Sequence, residues 1–148
     1  LYMGTKNNNA LFYTCSLIEY IGRRMKRTRC EVTDYMGKNR IKRIYEYAGV
    51  FHCEPIEKTA DEFIGETNMT EGSFDNVKEC RYTVPGYWDI GEVYERLIED
   101  VYEDEKVIDG IWEIYHSWID GQISDYNTDF YYQPRDYIAE CYRKGVVL

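Results

Sequence analysis

Three groups of side chains in this 148-residue chain have types and spacings that could do chemistry, and each points to a different kind. The first is cationic. Arg23, Arg24, Lys26, Arg27, Arg29, Lys38, Arg40, Lys42 and Arg43 follow one another closely, and cations gathered in this way neutralise phosphates or meet an acidic protein face. With Gly37 as a turn glycine, Val32 and Met36 fall where helix-turn-helix packing wants apolar residues, but Lys38 and Arg43 take positions that normally pack between the two helices. The basic surface expected is Arg23, Arg24, Arg27, Lys38, Arg40, Lys42 and Arg43. It reads first as a face for a protein, and second, through Arg40, Lys42 and Arg43, as a nucleic-acid contact.

The second group is anionic. Glu95, Glu99 and Glu103 stand four residues apart, which aligns three carboxylates on one helix face beside Asp100, Asp104 and Glu105, at a cost of about 0.2–0.5 kcal/mol per like-charged pair. A hard cation would offset that cost, yet the oxygen ladder and central glycine of a calcium loop are missing. The acidic surface expected is therefore a docking face for the basic helices of its own chain or of a second copy.

The third group would supply a nucleophile or a base. His52, Cys53 and Glu54 are consecutive, and His116 lies among Trp112, Tyr115 and Trp118. Neighbours in an extended segment point to opposite faces, so His52 and Cys53 do not form a dyad on this reading, and His116 reads as partly buried packing. G-x-S-x-G, H-E-x-x-H, P-loop and G-x-G-x-x-G patterns are all missing from the sequence. No catalytic residue, metal ligand or cofactor is expected, and an enzyme centred on His52 or His116 remains the third reading. The aromatic residues Tyr87, Trp88, Tyr131 and Tyr132 flank two turns; exposed, they would make a binding patch, but most are expected to be core-edge rings.

The elements that must position these groups are helices. Apolar residues recur at helical spacing over 10–26, and Thr28 with Glu31 forms a capping box for a short helix ending at Gly37. Ile41, Ile44, Tyr45 and Ala48 mark a third helix closed by Gly49, and residues 50–53 read as an extended connector. Pro55 opens a fourth, which Gly65 closes. Asp89 with Glu92 caps a helix over 89–103, a further helix over 105–119 is the most apolar and the expected core, and Pro134 opens the last. The fold class is all-α: one domain over 10–148 of about seven helices in two lobes, 10–65 and 74–148, with at most a brief extended segment near 79–84. Residues 1–9 read as a tag or a flexible end.

Composition narrows the partners. Up to Val50 the chain carries ten Lys and Arg against four Asp and Glu, and eight against twenty-three afterwards, so a basic part of +6 precedes an acidic part of −15. The net −9 opposes long-range attraction to a polyanion. No apolar run is long enough to span a bilayer, and five cysteines without a C-x-x-C pair read as free thiols of a cytoplasmic protein.

An aromatic residue before Cys15, the run Leu17-Ile18-Glu19-Tyr20, a short capped helix, Tyr47-Ala48-Gly49-Val50-Phe51-His52 and the ending Phe63-Ile64 together form a recognisable pattern over 12–64. It resembles a group of small bacterial domains, themselves similar to accessory or antitoxin-like partners of toxin genes, some of them ADP-ribosyltransferase-like. The resemblance implies a regulatory, protein-binding role and brings no catalytic residue with it. The leading expectation is a cytoplasmic helical module that binds a protein or a second copy of itself. A nucleic-acid-binding regulator is the alternative, and no membrane contact is expected.

Overall fold

The computed structural model describes residues 8–148. Nine α-helices follow in order among them: α1 (Asn8–Met25), α2 (Arg29–Glu46), α3 (Ala48–Phe51), α4 (Ile56–Thr67), α5 (Asn76–Glu79), α6 (Tyr87–Val101), α7 (Val107–Tyr115), α8 (Trp118–Ile123) and α9 (Arg135–Lys144). No strand occurs among the described residues, so the all-α class holds. The expectation for residues 1–7 lies outside the described residues, while Asn8 and Asn9 open α1.

The centre of the molecule is α1. Every residue from Tyr13 to Glu19 is buried, which means that successive positions point inward on all sides. Its broadest contact is with α6, and α2, α3 and α4 cover its other flanks. The contact with α6 requires a glycine: a Cβ at Gly91 would stand 2.8 Å from Ser16 Cα and 2.9 Å from Ser16 N. The expected core helix over 105–119 is instead divided into a 3-10 turn (Asp104–Lys106), α7 and α8. Ser117 causes the last break, since its hydroxyl accepts the Ile119 N–H as a helix cap.

Other boundaries follow local chemistry. Thr28 and Glu31 exchange both hydrogen bonds of a capping box at the start of α2. Gly37, with φ 73°, interrupts the helical geometry of α2 at the position where the sequence placed a stop. Residues 48–51 are helical, not extended, because Phe51 and His52 donate back to the carbonyls of Tyr47 and Ala48. The α6 helix begins two residues before Asp89, whose carboxylate accepts the Gly86 N–H from the third helical position. The extended segment expected near 79–84 forms no strand, and α5 occupies its first residue.

Segments 10–65 and 74–148 contribute to one hydrophobic core, which draws on α1, α2, α4, α6, α7, α8 and α9. Between them, the Gly72 and Phe74 N–H groups donate to the Met25 and Lys26 carbonyls at 2.8 Å each. Lys26 itself takes a left-handed φ of 53° to turn α1 into α2. That turn, the 72–74 loop and α8 position the site described next.

Candidate functional site

Glu19 lies on α1 with no solvent exposure, so it needs a partner. Arg29, the first residue of α2 and equally buried, supplies one: its Nε and Nη2 reach the two Glu19 oxygens at 2.9 and 2.8 Å. Arg23 Nε, one helical turn along α1, adds a third bond at 2.8 Å. The Tyr126 hydroxyl donates to the same carboxylate, and Asn76 Oδ1 accepts from Arg29 Nη2 at 3.1 Å. Burial alone would raise the Glu19 pKa, but Arg29 and then Arg23 outweigh it and hold the group down at about 2. Gly22 makes room for this network, since a Cβ there would come within 2.6 Å of Arg29 Cδ.

Two members of this network, Asn76 and Tyr126, also line a cleft of ≈ 400 Å³. Asn76 donates to the Ser124 carbonyl at 3.0 Å, and Asn127 donates to the Glu79 carbonyl at 3.0 Å, so α5 is stitched to the loop after α8. Phe74 and Tyr126 line the cleft with rings, and Asp75, Glu79, Asp120 and Asp125 line it with carboxylates. Asp120 is the buried one of the four: it accepts from the Tyr94 hydroxyl at 2.6 Å and from the Cys30 backbone N–H. Desolvation lifts its pKa to about 6 despite those bonds and the nearby Arg29. Ser124 is also buried at the cleft, beside the Tyr94 hydroxyl. Acidic groups beside flat rings can hold a cation, and the planar guanidinium of an arginine suits both.

The surfaces expected from sequence are arranged differently. Six of the seven basic residues have carboxylate partners: Arg23 with Glu19, Arg24 with Asp61, Arg27 with Glu31, Lys38 with Asp109, and both Arg40 and Arg43 with Glu66. Arg23 is turned toward the interior, whereas Lys42 is exposed. The acidic row does not form one face. Glu95 is buried, and burial together with its hydrogen bond to Glu99 raises its pKa to about 8; Glu99 is held by Arg135 at 3.1 Å, and Glu103 is exposed. The ion pairs of the basic helices go to Asp61, Glu66 and Asp109, not to Glu95, Glu99 or Glu103.

The aromatic residues separate likewise. Trp88 packs on Phe12 of α1 at 5.3 Å and Tyr87 on Tyr20 at 5.2 Å, both half-buried. Tyr131 and the exposed Tyr132 border a second groove, of ≈ 360 Å³, with Val93, Leu97 and Ile138. His52 sits edge-on to the Tyr13 ring at 5.7 Å, while Cys53 donates to the Gly49 carbonyl and Lys58 binds Glu54. The three consecutive side chains therefore serve three separate neighbours. His116 is exposed and meets Asp34 at 2.6 Å across the chain, in contact with Cys30.

No protein-family model, curated protein or solved structure matches the chain. No helix among the described residues is long and apolar enough to cross a membrane.

Proposed function

We propose that the chain is a bacterial, cytoplasmic binding module that acts through protein contacts and receives a cationic side chain, an arginine above all, from a partner protein in the cleft between α5 and α8. The observation that carries this reading is the lining: Asp75, Glu79, Asp120 and Asp125 beside the rings of Phe74 and Tyr126. A guanidinium placed there exchanges water for carboxylates and ring faces, and the net charge of −9 draws a basic partner from a distance. Asn76 and Tyr126 tie the cleft lining to the buried Glu19–Arg29 pair. The five free cysteines suit a reducing compartment, and an antitoxin-like, regulatory role is the form that the resemblance over 12–64 favours. The acidic mouth and the paired state of the basic residues weigh against nucleic-acid binding through Arg40, Lys42 and Arg43.

The test is an NMR titration of the labelled protein with Nα-acetyl-arginine amide, with the glutamate analogue as control. Amide shifts concentrated at Phe74, Asn76, Tyr126 and Asn127, and a roughly tenfold weaker response in Asp75→Asn/Asp125→Asn, are expected. Equal responses to the arginine and glutamate compounds, or shifts elsewhere only, would sink the reading.

A further inference from the structure

Away from that cleft, the start of α2 and the end of α7 bring together a nitrogen, a sulfur and an oxygen that nothing above uses. Cys30 and Asp34 are one helical turn apart and share a face of α2. His116 caps the C-terminus of α7 and lies over them. Cys30 Sγ, an Asp34 carboxylate oxygen and a His116 ring nitrogen all lie within 4.8 Å of one another.

The histidine is already oriented as a ligand would be. Its Nδ1 is 2.7 Å from the Trp112 carbonyl, and a carbonyl only accepts, so Nδ1 carries the proton. Nε2 lies 2.6 Å from Asp34 Oδ1, so one proton is shared between them; when that proton leaves, the Nε2 lone pair faces Asp34 and Cys30. The Trp112 ring, stacked on the imidazole at 4.1 Å between centroids, fixes its plane. A backbone carbonyl on one ring nitrogen, with the other nitrogen turned toward the ligand set, is the usual arrangement of a metal-ligating histidine.

The geometry points to a zinc site formed by Cys30 Sγ, Asp34 Oδ1 and His116 Nε2. Imidazole and thiolate favour zinc over magnesium or calcium, which take oxygen ligands, and a mixed N, S, O set suits its tetrahedral preference. Binding releases two protons: the Cys30 thiol proton as the thiolate–zinc bond forms, and the proton shared by His116 Nε2 and Asp34 Oδ1 as both atoms turn to the ion. The His116 to Asp34 separation of 2.6 Å must open to about 3.3 Å around a tetrahedral ion with bonds near 2.0–2.1 Å. Asp34 has room to do this, because its side chain is 57% exposed. Three protein ligands leave the fourth position to water or to a group from another molecule.

A simple ion pair between an imidazolium and Asp34 is the competing account, and it assigns Cys30 no part. Chelator-treated protein titrated with Co²⁺ as the spectroscopic stand-in, and with Zn²⁺ by calorimetry, separates the two. One equivalent of Co²⁺ giving thiolate charge-transfer absorption, reversed by Zn²⁺, is expected. Cys30→Ser should abolish the absorption, Asp34→Asn should weaken Zn²⁺ binding by roughly 100-fold, and Cys53→Ser, at an exposed thiol outside the cluster, should change neither. Asp34→Asn alters an exposed side chain and so keeps the test open should Cys30→Ser fail to fold. No saturable Co²⁺ binding, or binding that survives both Cys30→Ser and Asp34→Asn, would overturn the site. The arginine titration above reads a different cleft, so either proposal can fail without the other.

Discussion

Glu19 and Glu95 are both buried carboxylates, on helices that pack directly against each other, and they ionise in opposite directions. Glu19 faces Arg29, Arg23 and the Tyr126 hydroxyl and is held at about 2. Glu95 faces Glu99 and is raised to about 8, so that it keeps its proton at neutral pH and the two carboxyl groups share a hydrogen bond. Burial is common to both, so the sign of the shift is decided by the neighbour. The first arrangement anchors two residues of the cleft, Asn76 and Tyr126, on a buried charge pair; the second removes one negative charge from a row that the sequence presents as three.

The largest way to break this contrast is to take away the partner of Glu19. Arg29→Met takes the bidentate partner from a buried carboxylate and leaves it only Arg23 and the Tyr126 hydroxyl, so a loss of about 3–5 kcal/mol in urea unfolding is expected, with much of it restored in Glu19→Gln/Arg29→Met. An unchanged urea midpoint in the single variant would show that the pair contributes nothing to stability. Gly91→Ala should follow, at about 1–3 kcal/mol or more, because the new methyl meets Ser16 backbone atoms at the crossing of α1 and α6.

The pH dependence sharpens the comparison. The folded pKa of Glu19 is depressed from 4.5, so its contribution is present above about pH 4.5 and is lost as pH falls toward 2. The folded pKa of Glu95 is raised from 4.5 to about 8, so its contribution is complete below about pH 4.5 and is lost as pH rises through 8; Asp120, raised from 3.8 to about 6, declines in the same direction over its own window. Glu95→Gln, which cannot ionise, should therefore flatten the alkaline decline and be about 1 kcal/mol more stable than the parent at pH 9. Parallel stability curves for the variant and the parent between pH 5 and 9 would exclude the shared proton. The smallest effect expected is for Arg135→Ala, about 0.5 kcal/mol, since this arginine binds Glu99 and Asp100 near the surface. Its diagnostic value is directional: removing a cation that lowers the Glu95 pKa moves the alkaline decline to still higher pH.

The features legible in the sequence were local ones. The capping box at Thr28 and Glu31 and the break at Gly37 depend on residues within a turn of one another, and both are present. The central place of α1 was missed because the apolar runs of α7 are denser, while burial of α1 on all sides depends on helices that come much later in the chain. The cleft was missed for the same reason: Arg29 meets Asn76 across 47 positions, and Glu19 meets Tyr126 across 107. One signal was available. Glu19 is a lone charge in the run from Cys15 to Ile21, and such a residue on a helix buried all round must find a counter-charge elsewhere in the chain. The Cys30, Asp34 and His116 cluster was invisible to spacing rules, because its third member comes 82 positions after Asp34.

The dependence of α1 on α6 also sets an order of events during synthesis. The helix that must be covered most completely, α1, is made before α6, its broadest cover, which ends only at Val101. At about 5–20 residues per second, roughly four to fifteen seconds pass between the completion of the two. Throughout that interval the nascent chain presents Leu11, Leu17, Ile18 and Ile21 without their final cover. A chain arranged in this way can close its core only after α6 has been made.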